Sequence, residues 1–183
     1  MGCGVAAGAA VAATPAVPEV WQRVLWFSAA VLIPLRLTAN LLDGMVAIGA
    51  GRASRLGELF NVIPDRVSDS AVLIGLGYAR SSEPVLGFVA ALLAVLTAYV
   101  RAVGKNAGAP QVYAGPMAKP QRMWLVTAFC VAAAVAPDAM TAPLPGLAFT
   151  PPAVLLLLVG AGCALTVARR LVLIRRALAE AAG

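Results

Sequence analysis

Long apolar runs separated by short polar ones make up nearly the whole chain. A helix crosses a bilayer with about 20 mostly apolar residues. Val20 to Ala47 is such a stretch, broken by Arg23, Arg36 and Asp43. Glu58 to Tyr78 starts polar and becomes apolar, and Pro84 to Val103 is a clean span. Met123 to Pro137 is short and Ala-rich, and Pro152 to Leu173 is the most apolar of all. The opening stretch from Gly2 to Pro18 consists mostly of Gly, Ala and Val and reads as an incomplete first span. The pattern predicts an all-α integral membrane fold, a bundle of five to six transmembrane helices. It forms one domain over residues 1–183, without a complete first span, and shows no linker or internal repeat.

Composition narrows the chemistry. Hydrophobic residues make up 61% and charged residues 12%, about half the charged share of a soluble domain. Three cysteines (Cys3, Cys130 and Cys163) lie at no ligand spacing, which argues against a disulfide framework or a zinc site. The chain has no histidine, so Ser-His-Asp and Cys-His catalysis are excluded. Chemistry must come from eight carboxylates, fourteen Lys and Arg, and some amides. The opening residues lack the basic flank of a signal peptide, and Met1-Gly2-Cys3 lacks the Ser or Thr at the sixth position that myristoylation needs.

Basic residues set the orientation. Arg52 and Arg55, then Lys105, Lys119 and Arg122, then Arg169, Arg170, Arg175 and Arg176 fall on one side if the spans alternate. The opposite loops hold only Arg80. The expected location is the cell inner (cytoplasmic) membrane, with the basic side in the cytoplasm. The net charge of +6 then forms a rim that attracts anionic headgroups. On this reading Arg169-Arg170 and Arg175-Arg176 anchor the last helix. Nucleic acid is not an expected partner, because no soluble basic domain is present.

Four of the eight acidic residues, Asp43, Glu58, Asp65 and Asp69, fall within 27 positions near the cytoplasmic ends of two adjacent spans. Ionisable groups in a span are costly and mark function. Positions three, four, seven and eleven apart share a helix face. Asn40, Asp43 and Ala47 therefore share one face, and Glu58, Asn61, Asp65 and Asp69 share another. Converging Asn and Asp oxygens suit a hard divalent cation, which can bridge phosphates. Plain structural roles stand beside this: Asn40 and Asn61 as hydrogen bonds between helices, Asp69 paired with Arg66 or a neighbouring basic residue, and Asp65 and Glu58 solvated.

The stretch N-L-L-D-G-M-V-A-I-G-A-G-R-A-S-R-L-G-E-L-F-N-V-I-P-D-R-V-S-D, from Asn40 to Asp69, resembles the signature of the CDP-alcohol phosphatidyltransferases, D-x2-D-G-x2-A-R-x8-G-x3-D-x3-D. The spacing matches throughout. Asp43, Gly44, Ala47, Gly57 and Asp65 match by identity. Asn40 and Asn61 stand at the first and third Asp positions, and Ile48 replaces the Arg. The sequence is similar to a bacterial branch of the family with Asn at both places and G-E-L-x-N before P-D-R. It departs from that branch at Val62, where an acidic residue is expected.

The resemblance implies a six-helix membrane fold with a cytoplasm-facing site and a role in phospholipid biosynthesis. A phosphatidyl or similar phosphoalcohol group would move from a CDP-alcohol lipid donor, such as CDP-diacylglycerol, to an alcohol acceptor, with release of CMP. It implies Mg²⁺ or Mn²⁺ held by Asp43 and Asp65, with Asn40, Asn61 or Glu58 completing the shell, and Asp65 as the base. Gly44, Ala47 and Gly57 would let the nucleotide approach the helices. Arg101, Lys119 and Arg122 resemble basic positions facing the site, and with Arg55 they are the candidates for phosphate or acceptor binding, beside the alternative that the positive-inside rule alone places them. Membrane lipids and a second copy of the chain are the other implied partners. The two Asn leave three readings open: one metal instead of two, a second metal held through Glu58, or a catalytically impaired protein that binds nucleotide or lipid. A small transporter is a weaker alternative, since such sites lie at the midplane.

Overall fold

A computed structural model describes residues 2–49 and 55–182, with the side chains of 43–44, 46–49, 55–61 and 182 excepted. Six α-helices follow one another: α1 (Gly2–Ala12), α2 (Glu19–Gly49), α3 (Arg55–Gly77), α4 (Pro84–Asn106), α5 (Lys119–Val135) and α6 (Pro151–Ala182). Short 3₁₀ turns cover Thr14–Ala16 and Asp138–Met140. Proline opens three of the helices: Pro84 in α4, Pro120 in α5, and Pro151 with Pro152 in α6. Its fixed φ suits a first helical turn, where the missing N–H has no partner anyway.

The all-helical membrane fold read from the apolar runs is what forms. Glu19–Leu42, Pro84–Asn106 and Pro151–Ala181 are long and apolar enough to cross a membrane. The expected count of five to six spans is thus met by helices, of which three qualify by length and hydropathy among the described residues. α3 is of full length but carries the charged site, and α5 has 17 residues, about 25 Å at the α-helical rise. α1 has 11 residues, about 16 Å, and lies within the opening stretch of Gly, Ala and Val.

α1 lies against both α2 and α3. It comes close because it is made of small residues, the usual means of association between membrane helices. A Cβ on Gly8 would meet the carbonyl oxygen of Ala71 at 2.3 Å, and one on Gly75 would meet that of Gly8 at 2.2 Å. Gly8→Ala therefore forces α1 off α3. A melting temperature clearly below wild type is expected in detergent, from an overpacking cost of about 1–3 kcal/mol. An unchanged melting temperature would show that this contact contributes nothing.

The interior is built from Leu73 and Leu76 of α3, Met123 and Val126 of α5, and Leu156 and Val159 of α6, all buried. Trp26 of α2 meets Phe129 of α5 edge to face at 5.9 Å. At the start of α2, Arg23 donates to the last carbonyl of α5, that of Val135, at 2.9 Å. α2 and α5 are thus antiparallel. The end of α2 lies beside the starts of α3 and α5, together with the ends of α4 and α6. The three basic segments fall at this end, as the alternation of spans requires.

Candidate active site

Two residue pairs, each four apart, face each other across α2 and α3. Arg36 and Asn40 lie one turn apart on α2, and Asp65 and Asp69 lie one turn apart on α3, so each pair shares a helix face. The guanidinium of Arg36 bridges the two carboxylates: Nη2 donates to Asp65 Oδ1 at 2.6 Å and Nη1 to Asp69 Oδ1 at 2.6 Å. Nη2 also reaches the backbone oxygen of Asp65 at 2.9 Å. Asn40 Nδ2 donates to Asp65 Oδ1, and Lys119 Nζ to Asp65 Oδ2. On the far side, Arg122 Nη2 donates to Asp69 Oδ2 at 3.0 Å.

Exposure divides these five ionic groups into an outer and an inner set. The side chain of Asp69 is 3% exposed and that of Arg122 0%. Asp65 is 15% exposed and Lys119 20%. Asp69 and Arg122 are sealed into the helix bundle, whereas Asp65 and Lys119 open onto a cavity of about 370 Å³. Facing Asp65 on the cavity wall are four cations: Lys119, Arg66, Arg101 and Arg170. Arg66 Nε is buried and has no hydrogen-bond partner among the described residues. Among the described residues, one carboxylate against four cations suits the cavity to anions. Guanidinium groups suit phosphate oxygens because their donors form a planar fork. At the first position of α5, burial holds the Lys119 ammonium below the ordinary lysine value, while the Asp65 carboxylate pulls it back up.

The expected site residues separate clearly. Asn40, Asp65 and Lys119 meet, and Arg101 joins them on the cavity wall. Arg122 is a correction. It was expected at a phosphate, but its register on α5 turns it into the bundle. There it holds Asp69 and reaches the backbone oxygen of Met117 at 3.4 Å. A buried guanidinium needs a carboxylate partner, and this one has it. Asp69 likewise pairs with Arg36 and Arg122 and not with Arg66. Asp43, Gly44 and Ala47 lie in the last turns of α2, and Arg55, Gly57, Glu58 and Asn61 in the first turns of α3. Their side chains lie outside the described residues.

Two contributors escape a reading of the sequence. Arg36 looks like a flaw in an apolar span, though its place four residues before Asn40 puts it on the signature face. Arg170, expected to anchor the last helix to headgroups, is 4% exposed and lies on the cavity wall.

No family model matches the chain. It is 26% identical over 119 residues to the inner membrane protein YnbA of Escherichia coli, an alignment covering 65% of this chain and 59% of that protein. It is 33% identical over 98 residues to the archaetidylinositol phosphate synthase of Aeropyrum pernix, covering 54% of this chain and 50% of that protein. The chain thus spans between half and three-fifths of the length of these relatives. In fold it matches the phosphatidylinositol phosphate synthase of Mycobacterium tuberculosis solved with CDP-DAG bound. That match has a TM-score of 0.69 at 20% identity, over 94% of this chain and 82% of that one. The same enzyme in complex with manganese and citrate matches with a TM-score of 0.68 at 19% identity, over 94% and 78% of the two chains.

The chain thus shares the fold of these phosphatidylinositol phosphate synthase structures.

One neighbour holds manganese. Among the described residues no group of three or more acidic or thiol ligands converges. What is described of the donor set is the amide of Asn40 and the carboxylate of Asp65. Oδ1 of Asp65 takes two donors, from Arg36 and Asn40, and Oδ2 takes one, from Lys119. A carboxylate oxygen has two acceptor positions, so Oδ2 can still serve a cation. An all-oxygen set of this kind fits Mg²⁺ or Mn²⁺.

Proposed function

We propose that this protein is a CDP-alcohol phosphatidyltransferase, which transfers a phosphatidyl or related phosphoalcohol group from a CDP-alcohol lipid to an acceptor hydroxyl and releases CMP. The observation that carries the reading is Asp65. It is the signature carboxylate that opens onto a cavity, and the other charged residues described on that cavity's wall are the cations Arg66, Arg101, Lys119 and Arg170. The solved neighbour with CDP-DAG bound supports the donor class. The end of the bundle holding the cavity also carries the basic segments, so it faces the cytoplasm under the positive-inside rule, and the inner membrane is the location.

The chemistry follows from the positions. Asp65 accepts the proton of the acceptor hydroxyl on its carboxylate, which opens onto the cavity. The hydroxyl oxygen forms a bond to the phosphorus of the lipid phosphate, and the bond from that phosphorus to the CMP oxygen breaks. Asp65 has to stand close to the hydroxyl more than it needs a raised pKa. Lys119 and Arg101 hold anionic oxygens of donor or acceptor, which favours an acceptor that is itself phosphorylated. Asn40 and Asp65, with Asp43, Asn61 or Glu58, would hold the divalent cation. When bound, that ion supplies charge neutralisation on the diphosphate.

The test is purified protein with CDP-diacylglycerol, Mg²⁺ or Mn²⁺ and a panel of acceptors: glycerol 3-phosphate, an inositol phosphate, serine and phosphatidylglycerol. CMP release is expected with one phosphorylated acceptor and is expected to stop on chelation. Absence of CMP release with every acceptor would overturn the reading in favour of a membrane protein that binds without catalysis.

A further inference from the structure

Arg170 is held in a way that neither a headgroup anchor nor a phosphate ligand explains. Each of its three nitrogens donates to a backbone carbonyl of another element. Nη1 reaches Thr97 in α4 at 2.5 Å, Nε reaches Ala114 at 3.0 Å and Nη2 reaches Tyr113 at 3.4 Å. Ala114 and Tyr113 belong to the connection 107–118 between α4 and α5. Among the described residues no carboxylate pairs with Arg170. Among the described residues its charge thus has no paired carboxylate at the cavity wall, while its donors are tied to backbone.

A second contact, one turn earlier on α6, fixes the same connection. Thr166 is fully buried, donates to Gly162 at 2.7 Å and accepts from the Met117 N–H at 3.1 Å. Gly115, at φ +138°, lies so close that a Cβ would meet Thr166 Cγ2 at 2.3 Å. The connection is thus seated backbone-first on α6. It carries Tyr113, whose ring lies 5.0 Å from the guanidinium carbon of Arg101 and lines the cavity with it.

The geometry points to Arg170 as a positioning residue: it braces the 107–118 connection as the outer wall of the anion cavity, and through Tyr113 it sets where Arg101 stands. Thr166 serves the same wall from beneath. The inference rests on the proposed reading of the cavity as a phosphate-handling site, and it assigns α6 to the phosphate side of that site and not to the nucleotide side. A lysine at 170 keeps the charge but lacks the fork that reaches three carbonyls. A brace and a point charge therefore predict different results for Arg170→Lys.

The experiment titrates purified protein in detergent with inorganic phosphate and, separately, with CMP plus Mn²⁺, reading affinity from the shift in melting temperature. Arg170→Lys is expected to weaken phosphate about tenfold and to leave CMP within about twofold of wild type. Thr166→Val removes one bond to the wall without touching the cavity or its charge, and is expected to weaken phosphate by about threefold with CMP unchanged. Full phosphate affinity in Arg170→Lys would show that only its charge matters and overturn the brace. So would equal loss of both ligands, which marks general damage. If Arg170→Lys does not fold, Thr166→Val decides alone, and wild-type phosphate affinity there overturns the inference. Wild-type protein that binds CMP but not phosphate sinks this inference and leaves the family chemistry standing. Wild-type protein that binds neither sinks the proposed function as well.

Discussion

Asp65→Asn is expected to reduce CMP release from a CDP-lipid by 10²-fold to 10⁴-fold, the usual contribution of a positioned general base. The amide keeps the shape and the acceptor carbonyl but cannot take the hydroxyl proton. The fold should survive. Arg36 keeps Asp69 as a partner at 2.6 Å, and Lys119, 20% exposed, can turn to water. Asp138→Asn is the control. Asp138 is exposed in the 3₁₀ turn that follows α5, at the opposite end of the bundle, and should leave turnover at the wild-type rate. CMP release in membranes, with the expression level and melting temperature of each variant, gives the comparison. Wild-type-like turnover in Asp65→Asn would remove Asp65 from the reaction.

The sequence tells the outer part of this site well and the inner part poorly, for a physical reason. Spacing along a helix reveals which residues share a face. The step of four from Asp65 to Asp69, and of three from Asn40 to Asp43, was therefore readable. Spacing does not reveal which partner stands opposite. Arg36 interrupts an apolar run and reads as a defect until α3 places two carboxylates across from it. Arg169-Arg170 reads as an anchoring pair, yet neighbours on a helix point roughly 100° apart. When one faces outward the other need not, and Arg169 is exposed while Arg170 is buried. Arg122 shares a helix face with Lys119 three residues before it, so spacing alone does not reveal that Lys119 lines the cavity while Arg122, one turn deeper, is buried against Asp69. The fold was more legible because length and hydropathy report it directly, down to the short first helix. The limited apolar length of α3 and α5 follows from their duties: one carries the carboxylates and the other begins with the cations that meet them.

Asp69→Ala should damage the protein more than any change at the cavity mouth, although Asp69 stands outside the signature. Its carboxylate joins Arg36 of α2, 5% exposed, to Arg122 of α5, 0% exposed. Removing it leaves Arg122 with weaker contacts, to the Met117 carbonyl and to Cys163 Sγ at 3.7 Å. Stranding one member of a buried ion pair costs about 3–5 kcal/mol, a large share of the roughly 5–15 kcal/mol that holds a domain folded. The expected result is a strong fall in melting temperature and in the yield of folded protein. Arg122→Met alone should also destabilise, because Asp69 then keeps only Arg36. The double variant Asp69→Ala/Arg122→Met removes the stranded charge and should be more stable than Asp69→Ala, since an apolar side chain of similar volume is tolerated where an unpaired ion is not. Melting temperatures of the two single variants and the double in one detergent provide the cycle. A double variant no more stable than Asp69→Ala would show that the pair across α3 and α5 is not what holds these helices together.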